Sequence, residues 1–239
     1  MKMKILYFLV VVCFITIIIG CGKVPLNSTG TNTSTGTNTS TGTNIPGENN
    51  NSNVNPTAKL EQNISTSGVV AMNGRLIVFA KNSNTIPVDM EIEVEFYDKG
   101  GNIVGSGSEN FRAVGANAEV AVEIYNTPSN WDNYKIYADV EATNKYSYFD
   151  KIDIKHSNNN KNIAVQVTNN SNDNIDYITI AVVYYQGNTA VGIEDGIKSD
   201  IKPGRSANFN IDYAYDKKYN DVKFDSYRVY VTEAYSYNW

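Results

Sequence analysis

Few side chains in this sequence could take part in covalent or metal chemistry, and their spacing argues against it. His156 is the single histidine. It stands in "KIDIKHSNNN", sharing a strand face with Ile152 and Ile154 just before an Asn run. A Ser-His-Asp or Cys-His site would have to be built on it. A histidine at a strand end beside a loop is more often structural or solvated. The cysteines number two, Cys13 and Cys21, and no Cys or His pairs stand at zinc spacing. Glu91, Glu93 and Glu95 alternate along one segment and so point the same way. The carboxylates of a glycosidase must instead face each other across a cleft. Asn172-Asp173-Asn174-Ile175-Asp176 could set oxygens around calcium, but Asn/Asp-rich turns form for backbone reasons alone, and a turn is the expectation. The reading is a non-enzyme with no catalytic residue, no metal and no cofactor.

Recognition chemistry falls to the aromatic residues. Ten tyrosines lie between 150 and 239 and six between 59 and 149. An exposed tyrosine beside Asn, Asp, Lys or Arg suits stacking on a sugar or a protein surface. On strand alternation Tyr227 points inward with Val229 and Val231. Tyr230 then points outward beside Arg228, as Tyr137 does beside Lys135. Tyr185, Trp131 in "PSNWDNY" and the terminal Trp239 complete the candidate contacts for a protein or glycan partner. The competing reading is that tyrosine is simply an abundant strand former here.

The chain balances 20 Lys and Arg against 25 Asp and Glu, a net charge of −5. Nucleic acid is an improbable partner, because its recognition wants a clustered basic face.

These residues must be positioned after an unusual N-terminus. Lys2 and Lys4 precede an apolar run from Ile5 to Ile19, too short for a stable membrane span and suited to the h-region of a secretory signal. The run ends in Ile18-Ile19-Gly20-Cys21, which resembles the lipobox of bacterial lipoproteins. The resemblance implies cleavage between Gly20 and Cys21 and lipidation of the Cys21 thiol. It places the protein on the outer face of a bacterial cell membrane, with the membrane as partner through that lipid. Residues 1–20 are then the signal peptide. Residues 21–58 form a tether whose hexamer "STGTNT" stands at 28–33 and again at 34–39. With no apolar group to bury, such a segment does not offset its ordering entropy, and as a coil it reaches about 30–35 Å.

Past the tether the period changes to two. Met90, Ile92, Val94 and Phe96 alternate with Glu91, Glu93, Glu95 and Tyr97, a half-buried strand. Asn73-Gly74 between "VVA" and "LIVFAK" marks a hairpin, and "DKGGN" at 98–102 a second. No helical period is evident. The order then recurs: "FAKNSN" (79–84) answers to "VTNNSN" (167–172), and Val94 and Phe96 fall on Val182 and Tyr184. "GANAEVAV" (115–122) answers to "GRSANFNI" (204–211), and "YKIYADV" (134–140) to "YRVYVTE" (227–233). The spacing predicts a duplication, 59–149 and 150–239. The fold class is all-β, two tandem immunoglobulin-like antiparallel β-sandwiches.

At these blocks the chain resembles the FxLYD domains of bacterial surface lipoproteins, with Val94-Glu95-Phe96-Tyr97-Asp98 and Val182-Val183-Tyr184-Tyr185-Gln186 at the motif positions. Its Phe and Leu positions are substituted in both copies, and its Asp is kept only in the first. The resemblance implies an extracellular β-sandwich rather than a reaction. One contrast between the copies bears on partners. The outward side is Glu91, Glu93, Glu95, Tyr97 in the first and Thr179, Ala181, Val183, Tyr185 in the second. An apolar outward face needs covering, by the other copy or by a partner.

Overall fold

A computed structural model describes residues 56–238; Gly20, Cys21 and the "STGTNT" repeats lie outside the described residues, as does Trp239. A single turn of helix, α1 (Pro56–Glu61), opens it. Proline suits the first helical position, where its missing N–H costs nothing. Leu60 packs against the first core. Six residues are too few to display a helical period, so this helix left no pattern to read.

The first six strands are β1 (Ile64–Val70), β2 (Leu76–Asn82), β3 (Val88–Tyr97), β4 (Ile103–Val114), β5 (Glu119–Ile124) and β6 (Asn133–Ala142). They form two antiparallel sheets, in the orders β1-β2-β5 and β4-β3-β6. A two-residue strand, β7 (Tyr146–Ser147), follows. Then come β8 (Ile152–Asn158), β9 (Asn162–Asn169), β10 (Ile175–Gln186), β11 (Thr189–Ile201), β12 (Ser206–Asp212) and β13 (Ser226–Ser236). Their sheets run β12-β9-β8 and β11-β10-β13-β7. With β7 set aside, strand for strand the second order copies the first. β7 itself joins the far sheet, pairing Ser147 with Tyr235.

Local chemistry sets the connections. The β1–β2 hairpin closes through the Gly74 N–H donating to the Ala71 carbonyl at 2.9 Å, with Gly74 at φ 87 where a side chain would be strained. At the β3–β4 turn the Asp98 carboxylate accepts from the Gly100 and Asn102 N–H groups. The sandwich cores follow the alternation. Met90, Ile92, Val94 and Phe96 are buried with Leu76, Val78 and Val120 in the first. Ile178, Ile180, Val182 and Tyr184 are buried with Ile163, Val165 and Phe209 in the second.

A buried asparagine recurs in both copies. Asn82 donates from Nδ2 to the carbonyls of Ile86, Val114 and Gly115, and its Oδ1 accepts from the Asn84 N–H. Asn169 donates to the carbonyls of Asp173 and Ile201, and its Oδ1 accepts from the Ser171 N–H. Their own N–H groups reach the carbonyls of Ala118 and Arg205. The structural equivalents are therefore Asn82 and Asn169. The matches of "FAKNSN" to "VTNNSN" and of Gly115 to Gly204 need realignment. Gly204 (φ 67) occupies the left-handed position of Asn117 (φ 61). The turns keep their length, since Asn82 to Val114 and Asn169 to Ile201 each span 32 residues; a one-residue irregularity between Val88 and Met90 in β3 hid that register from the sequence. Phe96 pairs with Tyr134 as Tyr184 pairs with Tyr227, so the central strands align as read.

The two sandwiches dock face to face. Val69, Ala71, Ile77, Phe79 and Ala121 from the β1-β2-β5 sheet meet Ala181, Val183, Ala190, Ile193 and Tyr230 from the β11-β10-β13 sheet. The Met72 N–H donates to the Val191 carbonyl across this seam at 2.9 Å. The apolar outward face of β10 is covered by the other copy. β2 is consequently buried on both faces, which is why "LIVFAK" reads as a continuous apolar run.

Candidate functional site

The seam decides which aromatics can meet a partner. Tyr230 does leave its own sandwich on the outward side, but that side is the seam, and it is only 6% exposed. Its ring lies 5.9 Å from Phe79, and its hydroxyl is 2.9 Å from that of Tyr185. The expectation of a surface platform at Tyr230 is therefore corrected, because the face it shares with Ala181 and Val183 is closed. Burial also pushes the Tyr185 hydroxyl well above the usual tyrosine range. Trp131 packs edge-on against Phe96 (5.4 Å) and Tyr134 (5.8 Å), at the margin of the first core. Tyr137 is exposed on the outer face of β6 and donates to Glu95 Oε2 at 3.0 Å. Tyr97 donates to the same oxygen, and Lys135 Nζ sits 4.9 Å over the Tyr97 ring.

The groups with reactive chemistry are engaged structurally. His156 Nδ1 lies 3.1 Å from the Tyr227 hydroxyl with the rings edge to face. In the 172–176 turn, the Asp173 carbonyl accepts from Asn169 and Ser171, and Asn174 donates to Asp176. The observed hydrogen bonds are those of a turn. Among the described residues no group of three or more His, Cys, Asp or Glu is arranged to hold a metal.

Two clefts open along the seam. One, of about 220 Å³, is lined by carboxylates from both sandwiches: Glu109, Glu123, Glu194, Asp195 and Glu233. Glu123 pairs with Arg75 at 2.6 Å and takes a further hydrogen bond from Asn73. Glu233 accepts from the Arg112 N–H at 2.8 Å and from Thr179. Desolvation, with Glu123 and Asp195 nearby, raises Glu194 to about 7. Burial raises Glu109, Asp195 and Glu233 in the same direction.

The other cleft, of about 420 Å³, is framed by Asp89, Arg112, Glu141, Lys145, Tyr235 and Tyr237. Asp89 is a buried carboxylate that accepts from Lys145 Nζ at 2.8 Å and from the Ala113 N–H at 2.8 Å. Burial alone would raise its pKa, but the hydrogen bonds from Lys145, Ala113 and Thr143 outweigh burial and hold it below the usual range. The Tyr235 ring stacks on Tyr177 (5.6 Å, 20°) and meets Tyr237 edge-on at 5.5 Å.

Alternation along β13 gives no hint of this cleft. Counting by twos from Tyr227 would send Glu233 and Tyr235 into the core. A bulge intervenes: Val231 pairs with Ile180 and Glu233 with Thr179, leaving Thr232 extra. The bulge moves Glu233 and Tyr235 to the seam side and gives the core position to Ala234. Neither a protein-family model nor a curated protein matches this chain.

Proposed function

We propose that this protein is a non-catalytic, lipid-anchored component of a bacterial cell surface that presents two docked β-sandwiches for protein interaction. The observation that carries the reading is the order of segments: a basic and apolar leader ending at Gly20-Cys21, a repeat without apolar groups, and then two well-cored sandwiches. On this reading Cys21 bears the lipid, and residues 22–58 hold the sandwiches away from the membrane. More than one acyl chain on that cysteine would make the attachment firm, since a single chain holds weakly. The FxLYD resemblance fits the same reading. The outer face of β3 and β6 offers Glu91, Glu93, Glu95 and Asp139 with Tyr97 and Tyr137, a surface suited to a basic partner.

Metabolic labelling with a radioactive fatty acid tests the anchor. The parent chain incorporates label, and Cys21→Ala abolishes it and leaves the uncut leader in place. Equal labelling of Cys21→Ala refutes the proposal. A glycan-binding role is the second reading, favoured by the Tyr177, Tyr235 and Tyr237 cluster at an open cleft.

A further inference from the structure

We propose that the cleft between β3, β6 and the end of β13 binds a neutral oligosaccharide. The inference rests on the glycan-binding reading and names its site. Its framing charges cancel: Asp89 and Glu141 stand against Arg112 and Lys145. A strongly anionic or cationic ligand would gain nothing net there, and a wholly apolar one would strand paired charges without water. A sugar offers both hydroxyl donors and acceptors at each ring and an apolar C–H face, which is the complement of this lining.

Two of the polar groups are already fixed: Lys145 Nζ bridges Asp89 (2.8 Å) and Asn144 Oδ1 (3.3 Å), while Arg112 Nη1 lies 4.0 Å from Asp89 Oδ2. For Asp89 and Lys145 little side-chain entropy remains to be lost on binding, which is what preorganisation contributes to affinity. The aromatic wall is fixed too. Tyr235 is held by Tyr177 behind it, and the Tyr237 N–H donates to Asp176 Oδ2 at 3.1 Å. Tyr237 remains 40% exposed and offers the platform on which a pyranose would lie. Because one wall comes from each sandwich, the cleft exists only while they stay docked.

Saturation-transfer NMR on the full chain in detergent tests this, with chitotetraose, cellotetraose and maltotetraose as neutral probes and tetragalacturonate as an anionic control. At least one neutral probe should receive saturation, and tetragalacturonate none. Tyr237→Ala should weaken that binding about five-fold, as expected for loss of one aromatic contact, and Tyr237→Phe should retain it. Glu141→Ala should also weaken it. No binding of any neutral probe overturns both the site and the glycan reading. Undiminished binding by both alanine variants overturns the site alone, and preference for tetragalacturonate overturns the neutral class.

Discussion

Phe79 and Tyr230 meet across the seam with ring centroids 5.9 Å apart and planes inclined by 57°, one ring from each sandwich. The contact joins the middle strand of one sheet, β2, to β13 of the other. It turns two repeats into a single unit, and it makes the clefts along their junction depend on docking.

Truncating either ring should therefore loosen the junction. Phe79→Ala or Tyr230→Ala should cost about 2–3 kcal/mol, below a full core deletion because the seam can partly relax. Tyr230→Phe removes only the hydroxyl, which meets Tyr185 and Arg228, and should cost about 1 kcal/mol. Urea unfolding of the variants measures both. A Tyr230→Ala protein as stable as the parent would show that the rings contribute nothing to docking.

The buried asparagines should be as demanding as any apolar core position. Asn82→Ala would leave the buried Val114 and Gly115 carbonyls, and the part-buried Ile86 carbonyl, short of a donor. About 3 kcal/mol is expected, since each stranded buried group costs about 1–3 kcal/mol. Asn169→Ala should behave alike. Asn82→Asp, which keeps the acceptor and removes the donors, should be no better than alanine. Thermal melts distinguish these outcomes.

The sequence carried the strands and the duplication because burial on one face forces a period of two. It also carried half of the seam. Thr179, Ala181, Val183 and Tyr185 announced a face in need of cover, whereas "LIVFAK", which lies on the other side of the seam, read only as one arm of a hairpin. Joining the two required distances that no period encodes. Tyr235 was illegible for a different reason. A single unpaired residue, Thr232, reverses the facing of everything after it, and bulges leave little mark in residue type. The realigned Asn82 and Asn169 show the same limit, since the irregularity between Val88 and Met90 shifts the match by one residue without disturbing the fold.

Close packing at Gly192 offers a sharper test of the second core. A Cβ placed there would come within 2.5 Å of the Ala214 Cβ, beneath the edge where Val222 also packs. Gly192→Ala should cost about 1–3 kcal/mol by overpacking. Gly192→Ala combined with Ala214→Gly should recover much of that loss, because it vacates the colliding methyl. Failure of the double variant to recover would place the strain in the backbone of β11 instead.

The acidic cleft predicts an unusual dependence on pH. Glu194 has its pKa raised to about 7 by burial first, then by the negative fields of Glu123, Asp195 and Asp212, with only Arg75 opposing. A carboxyl whose folded pKa lies above its unfolded value destabilises the fold when ionised. Stability should therefore rise as pH falls from 8 through 7 and toward the ordinary glutamate range, by roughly 1–3 kcal/mol. Glu109, Asp195 and Glu233 are shifted the same way and add to it. The gain ends in acid, where Asp89, held low by Lys145 and Ala113, begins to protonate and its ion pair is lost. The melting temperature should consequently be higher at pH 5.5 than at pH 8, with the maximum below pH 5.5, just above the range in which Asp89 protonates. Glu194→Gln should raise stability at pH 8 and flatten the slope above pH 6. A profile for Glu194→Gln parallel to the parent would show that the seam carboxylates keep their charge at no cost.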